Sequence, residues 1–90
     1  MSTNEADFDI DLSQDQQVWP AFHGGWAVRR SGTKKYFRVY RTKAEALRHA
    51  TEIARRKGVR LFVHYQHGAV QRWRDFAEGP RARWHQAYKY

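Results

Sequence analysis

One segment limits the fold more than any other. Thr42 is followed three residues later by Glu45, the capping-box pattern that opens a helix, and Ala46, Leu47, Ala50, Ile53 and Ala54 recur at helical spacing until Gly58 supplies a stop. The segments on either side have the period of strands. Gly25-Trp26-Ala27-Val28-Arg29-Arg30, the turn Ser31-Gly32-Thr33 and the run Tyr36-Phe37-Arg38-Val39-Tyr40 predict a β-hairpin, with His23-Gly24-Gly25 as a turn signal before it. Residues 59–65 and 69–74 flank the turn Gln66-His67-Gly68 and predict a second hairpin.

The expected order is β-β-α-β-β. It makes an α+β two-layer sandwich, with one helix on one face of a four-stranded antiparallel or mixed sheet. Beyond Gly79-Pro80, Trp84 and Tyr88 stand four residues apart and permit a short C-terminal helix. Three parts are expected along the chain: an acidic, disordered tail at 1–17, the β-β-α-β-β domain at 18–76, and a basic, aromatic extension at 77–90.

Ninety residues give a core of modest stability, so apolar packing or self-association must hold the domain together. The absence of Cys excludes disulfide frameworks, zinc fingers and thiol nucleophiles. The sequence has no apolar run of membrane-spanning length, and the N-terminus is acidic where a signal or transit peptide would be basic. A cytoplasmic protein is the expectation.

The net charge of +8 is the sum of two opposed regions. Residues 1–17 carry Glu5, Asp7, Asp9, Asp11 and Asp15 and no base, which leaves +13 on residues 18–90. Residues 26–41 are the most one-signed stretch, with six bases and no acid. The helix partly balances its own charges, because Glu45, Arg48, Glu52, Arg55 and Arg56 fall at three- and four-residue spacing. A basic domain beside an acidic tail is the composition of a polyanion-binding protein.

Several motifs resemble a family of small bacterial and phage proteins catalogued as domain of unknown function 2188. They are His23-Gly24-Gly25-Trp26-Ala27-Val28, the stretch Thr42-Lys43-Ala44-Glu45-Ala46 with Ala50, Glu52-Ile53-Ala54-Arg55 and Gly58, and Leu61-Phe62-Val63-His64 with Gly68 and Val70. The resemblance covers about residues 19–73 and implies a fold, with no activity attached. It also implies a shorter, less basic chain with a Gly/Pro-rich end, whereas this one has an acidic tail and an Arg/Trp/Tyr-rich end.

Strand parity suggests which face is free to act. If the helix covers Trp26, Val28, Phe37, Val39, Val59, Leu61 and Val63, the opposite face presents Arg29, Tyr36, Arg38, Tyr40, Arg60, Phe62 and His64. The last strand contributes either Gln71 and Trp73 or Arg72 and Arg74. Guanidinium groups for phosphates interleaved with rings for bases are suited to single-stranded nucleic acid. An Arg-rich hairpin also fits a duplex groove. The expected function is therefore a non-enzymatic, nucleic-acid-binding accessory or regulatory protein, of the kind phages and mobile elements encode. Arg29, Arg30, Lys34, Lys35, Arg38 and Arg41 would hold phosphates from the first hairpin, Tyr36 and Tyr40 would stack, and Arg60, Arg72 and Arg74 would add charge.

The competing reading is a protein-interaction module, a regulatory partner or an anti-defence inhibitor, that forms a homodimer through its open sheet face. Charges at hairpin edges would then serve to prevent aggregation. In the tail, Asp7-Phe8-Asp9-Ile10-Asp11-Leu12 alternates acid and apolar, so it could compete with nucleic acid, hook a protein partner, or only solubilise the chain. His64 and His67 bracket a turn and raise the idea of acid–base RNA cleavage, with His23 nearby. The folded part has only Glu45, Glu52, Asp75 and Glu78 as acids, and His64-x-x-His67 lacks further ligands, so no enzyme, metal or cofactor is expected.

Overall fold

The computed structural model describes residues 15–30 and 38–86. The elements in chain order are β1 (Gln16–Pro20), β2 (Trp26–Arg30), β3 (Arg38–Tyr40), α1 (Lys43–Lys57), β4 (Arg60–His64), β5 (Val70–Asp75), a 3-10 helix (Phe76–Arg81) and β6 (His85–Gln86). The strands form one six-stranded mixed sheet in the order β3-β2-β1-β4-β5-β6. The α+β class with one principal helix is as expected, whereas the four-stranded sheet is corrected to six.

Both additional strands escaped the pattern for physical reasons. β1 carries a single apolar residue of its inward parity, Val18, between two glutamines and Trp19-Pro20, yet it lies at the sheet centre, antiparallel to β2 and parallel to β4. Its position comes from neighbours on both sides, which a local pattern does not contain. The turn before Trp26 thus joins β1 to β2. β6 is two residues long and pairs with β5 where a terminal helix was allowed. The sheet therefore starts before the boundary expected at 17/18 and continues into the extension expected beyond 76.

α1 forms as its sequence requires. Thr42 Oγ1 accepts from the Glu45 N–H at 3.2 Å, Glu45 returns a bond to the Thr42 N–H, and Gly58 ends the helix. None of the charge pairs expected on its outer face closes to ion-pair distance among the described residues.

The chain leaves edge strand β3, crosses back over β2 and β1 as α1, and enters β4, which is how β1 and β4 come to lie parallel. Ala46, Ala50 and Ala54 line the helix underside against Val18, Val28, Leu61 and Val63, all fully buried. Small side chains on that stripe let the helix sit low on the branched residues of the sheet. Trp26 packs on this core, as a large strand residue should. α1 covers β1 to β4 and leaves β5 at its flank, where Phe76 and Trp84 close the core instead. No described helix is long and apolar enough to cross a membrane.

Candidate nucleic-acid interface

Register decides which side chains reach the uncovered face. Gln17 stands opposite Arg29 on β2 and Phe62 on β4, Phe62 opposite Trp73 on β5, and Trp73 opposite His85 on β6. One row, Arg29–Gln17–Phe62–Trp73–His85, thus runs across five strands, roughly 19 Å at the usual strand spacing. Phe62 and Trp73 stack with centroids 6.0 Å apart, and Trp73 and His85 at 4.5 Å. Arg29 Nε donates to Gln17 Oε1 at 2.8 Å while its guanidinium lies 4.2 Å from the Trp19 ring centre. Among the described residues, only Nε of this guanidinium donates to a side chain of the sheet, which leaves its two Nη groups for an oxyanion.

Arg60 is also on this face, but it is partly neutralised. Its Nη2 is 2.8 Å from Asp15 Oδ2, and its backbone N–H donates to Asp15 Oδ1. Asp15 is thus a buried structural acid of the fold rather than part of a solvated tail.

His64 packs edge-on to Trp19, ring centres 4.4 Å apart, and its Nδ1–H donates to the Gly68 carbonyl at 2.9 Å. That bond leaves Nε2 as the unprotonated nitrogen, buried without a partner. Burial lowers the His64 pKa below the usual histidine value, Arg29 and Lys43 push the same way, and the Gly68 bond opposes them. His64 is therefore neutral in the folded protein at pH 7. Unfolding restores the ordinary value near 6.5. The unfolded chain then binds the proton more readily, so this contribution to stability is complete above that value and declines as pH falls toward the folded pKa. Urea titrations from pH 7.5 to 5 are expected to show stability falling with acidification, and His64→Gln to flatten the slope by up to one proton, about 1.4 kcal/mol per pH unit. Equal slopes in the two proteins would refute the assignment. His67 accepts from the Ala69 N–H and stacks on Tyr65. Among the described residues no group of three His, Asp or Glu is placed to hold a metal ion.

Several of the expected face assignments are corrected. Trp26 pairs with Tyr40 and Val28 with Arg38, which turns Tyr40 and Arg38 to the helix side and brings Val39, 49 % exposed, onto the open face. Tyr40 hydrogen-bonds His49 of α1, in a groove of about 540 Å³ also lined by Arg38, Arg41, Glu45, Arg48 and Glu52. The register of Leu61 with Arg74, Phe62 with Trp73 and Val63 with Arg72 fixes the last strand, putting Trp73 on the open face and Arg72 and Arg74 on the helix side beside Trp84, and the bulge beyond Val63 brings Val70 opposite His64. Arg30 is exposed at the end of β2. Lys34, Lys35, Tyr36 and Phe37, with the acidic–apolar motif at 7–12, lie outside the described residues. Trp19 and His85 were missed as site residues. Trp19 shares the alternation Gln17-Val18-Trp19, which identifies its side only once β1 is known to be a strand.

Residues 16–76 match the family described as an uncharacterized protein conserved in bacteria, DUF2188. The chain belongs to that family. The DUF2188 segment begins with β1 and ends as β5 gives way to the 3-10 helix, so Gln17, Trp19, Arg29, Phe62 and Trp73 all lie within it, while His85 of β6 lies beyond. The chain is also 46 % identical over 48 residues to the uncharacterized protein YdaT of Bacillus subtilis (strain 168). That alignment covers 53 % of this chain and 32 % of the relative. No solved structure matches at a significant level.

Proposed function

We propose that this DUF2188 protein is a non-enzymatic accessory module that binds single-stranded nucleic acid across the open face of its sheet. The observation that carries the reading is the row Arg29–Gln17–Phe62–Trp73–His85, with the Arg29 guanidinium over the Trp19 ring. A guanidinium at one end engages a phosphate, and the rings and their edges engage bases, an arrangement tolerant of sequence. Arg30, exposed at the end of β2 but of the helix-side parity of Val28, adds charge only at the rim of this face. Because Phe62, Trp73 and His85 already stack on one another, each base gains near the low end of the usual range, about 1 kcal/mol.

Fluorescence anisotropy with a labelled single-stranded oligonucleotide tests this directly. Affinity is expected to fall steeply with salt, Arg29→Ala to lower the salt slope by about 0.7, and Trp73→Ala to weaken binding about fivefold. Deleting residues 1–14 removes Glu5, Asp7, Asp9 and Asp11 and is expected to raise affinity. No detectable binding to DNA or RNA at about 50 mM salt would overturn the reading.

The mutual stacking of the rings, together with exposed Val39 on the same face, favours one alternative, a homodimer through this surface. Light scattering separates the two. A dimer that Trp73→Ala converts to monomer, without nucleic-acid binding by the parent protein, would support the alternative.

A further inference from the structure

A second cationic cluster lies on the other side of the sheet, where α1 leaves β5 uncovered. Arg72 and Arg74, two residues apart on β5 and so on one side of it, both stand over Trp84, with guanidinium carbons 4.3 and 5.8 Å from the ring centre. Lys43, the first residue of α1, reaches toward the same strand and donates to Gln71 Oε1 at 2.8 Å. None of the three cations has a carboxylate partner among the described residues. The acids of α1, Glu45 and Glu52, line the groove on the far side, toward β3.

Such a grouping is unfavourable by itself. The charges of Lys43 and Arg72 repel, and burial with that repulsion lowers the Lys43 pKa. The Nε atoms of both Arg72 and Arg74 are buried without a hydrogen-bond partner, a cost that folded proteins ordinarily avoid. Trp84 lies beneath Arg72, and Arg74 stands between Trp84 and Phe76, whose ring centre is 4.8 Å from its guanidinium carbon, so the rings hold both cations beside one another without neutralising them. Two guanidinium groups over one ring are no more than about 10 Å apart, within reach of one phosphate or of two joined by a short bridge.

We propose that Lys43, Arg72 and Arg74, ordered on Trp84 and Gln71, form a phosphate-binding site on the flank of α1, separate from the open face. The shared chemistry is a phosphate group, free or in a nucleic-acid backbone. The site is independent of the reading above, because Arg72 and Arg74 are on the opposite side of the sheet from Trp73.

The test uses the full chain, Arg72→Gln/Arg74→Gln, and the charge-preserving Arg72→Lys/Arg74→Lys, with circular dichroism confirming the fold of each. Inorganic phosphate and pyrophosphate are compared with chloride at equal ionic strength by thermal denaturation, and a single-stranded oligonucleotide is titrated in parallel. Phosphate or pyrophosphate is expected to raise the parent Tm by about 5 °C or more over chloride when saturating. The Gln pair is expected to lose that increase, and the Lys pair to retain part of it. The Gln pair without anion should melt no lower than the parent at low salt, since repulsion with Lys43 is relieved. An anion effect on Tm would identify free phosphate as a sufficient ligand. An oligonucleotide salt slope lowered by about 1.4 in the Gln pair, without an effect of the small anions, would identify the backbone. Trp73→Ala should leave the anion effect unchanged, which separates failure of this site from failure of the open face. The proposal is overturned if neither the small anions nor the oligonucleotide distinguishes the Gln pair from the parent.

Discussion

Gly25→Ala is expected to destabilise the protein by about 2–5 kcal/mol, a large part of what a domain of this size possesses. Gly25 has φ +81°, where an L side chain is strained, and a Cβ built on it would stand 2.5 Å from the Tyr40 carbonyl oxygen. That oxygen belongs to the backbone of β3, so relief requires the first hairpin to open. Gly24, one residue earlier with φ +104°, has nothing within 4 Å of the place a Cβ would occupy. Gly24→Ala therefore incurs backbone strain alone, about 1–3 kcal/mol. Urea midpoints with unchanged m-values provide the comparison. A Gly25→Ala variant as stable as Gly24→Ala would show that β3 does not approach β2 as described.

The second large effect is expected at Asp15. Its carboxylate accepts the Arg60 backbone N–H at 3.1 Å and pairs with the Arg60 guanidinium at 2.8 Å, tying the start of β1 to the start of β4 across 45 positions. The ionic part is weak, since the Arg60 side chain is 42 % exposed and solvent screens the pair. The larger loss in Asp15→Ala is the half-buried Arg60 N–H left without an acceptor, and the expected cost is about 1–3 kcal/mol. Asp15→Asn keeps an acceptor and is expected to cost about 1 kcal/mol or less, with the difference between variants insensitive to salt. Equal losses in the two variants would assign the effect to charge. The same geometry predicts the outcome of truncation. Removing residues 1–14 leaves every described element intact, whereas removing 1–17 takes Asp15 and the first two residues of the central strand. The longer deletion is expected to lose cooperative unfolding, and both can be followed by circular dichroism on heating.

Much of the fold was legible because its signals are local. Thr42, Glu45 and Gly58 delimit α1 through bonds made within a few residues, and the hairpin of β4 and β5 is bounded by its own turn. Trp26 packed against the core beneath the helix follows from the alternation of its own strand. β1 was not legible, since Gln16 and Gln17 in a central strand contradict the usual apolar pattern. They are accommodated only because β2 and β4 satisfy their backbone on both sides.

The candidate site divided along the same line. Arg29, Arg60, Phe62 and His64 fall on the open face by parity alone, within strands whose inward residues are unambiguous. Local alternation puts Arg38 and Tyr40 on the opposite side from the one they occupy, because the parity of β3 depends on its pairing with β2, where Trp26 lies opposite Tyr40. In a strand of three residues, a shift of one position exchanges every side chain between faces.

Arg72 and Arg74 illustrate what a bulge conceals. The irregularity at Val63 and His64 changes the alternation between Val70 and Arg72, so the parity of Val70 does not carry over to Trp73 and the two arginines, and no residue type in the sequence marks where it falls.

Residue chemistry by itself determined that this chain has one capped helix among strands, a core without cysteine, and a strongly basic domain after an acidic beginning. Those properties depend on contacts a few residues long or on composition. Only the tertiary structure decided that Asp15 is a structural acid, that six strands share the sheet, and that the cations are divided between two opposite surfaces. Each of these rests on partners distant in sequence, and the pairing register that joins them is fixed only when the whole sheet packs beneath α1.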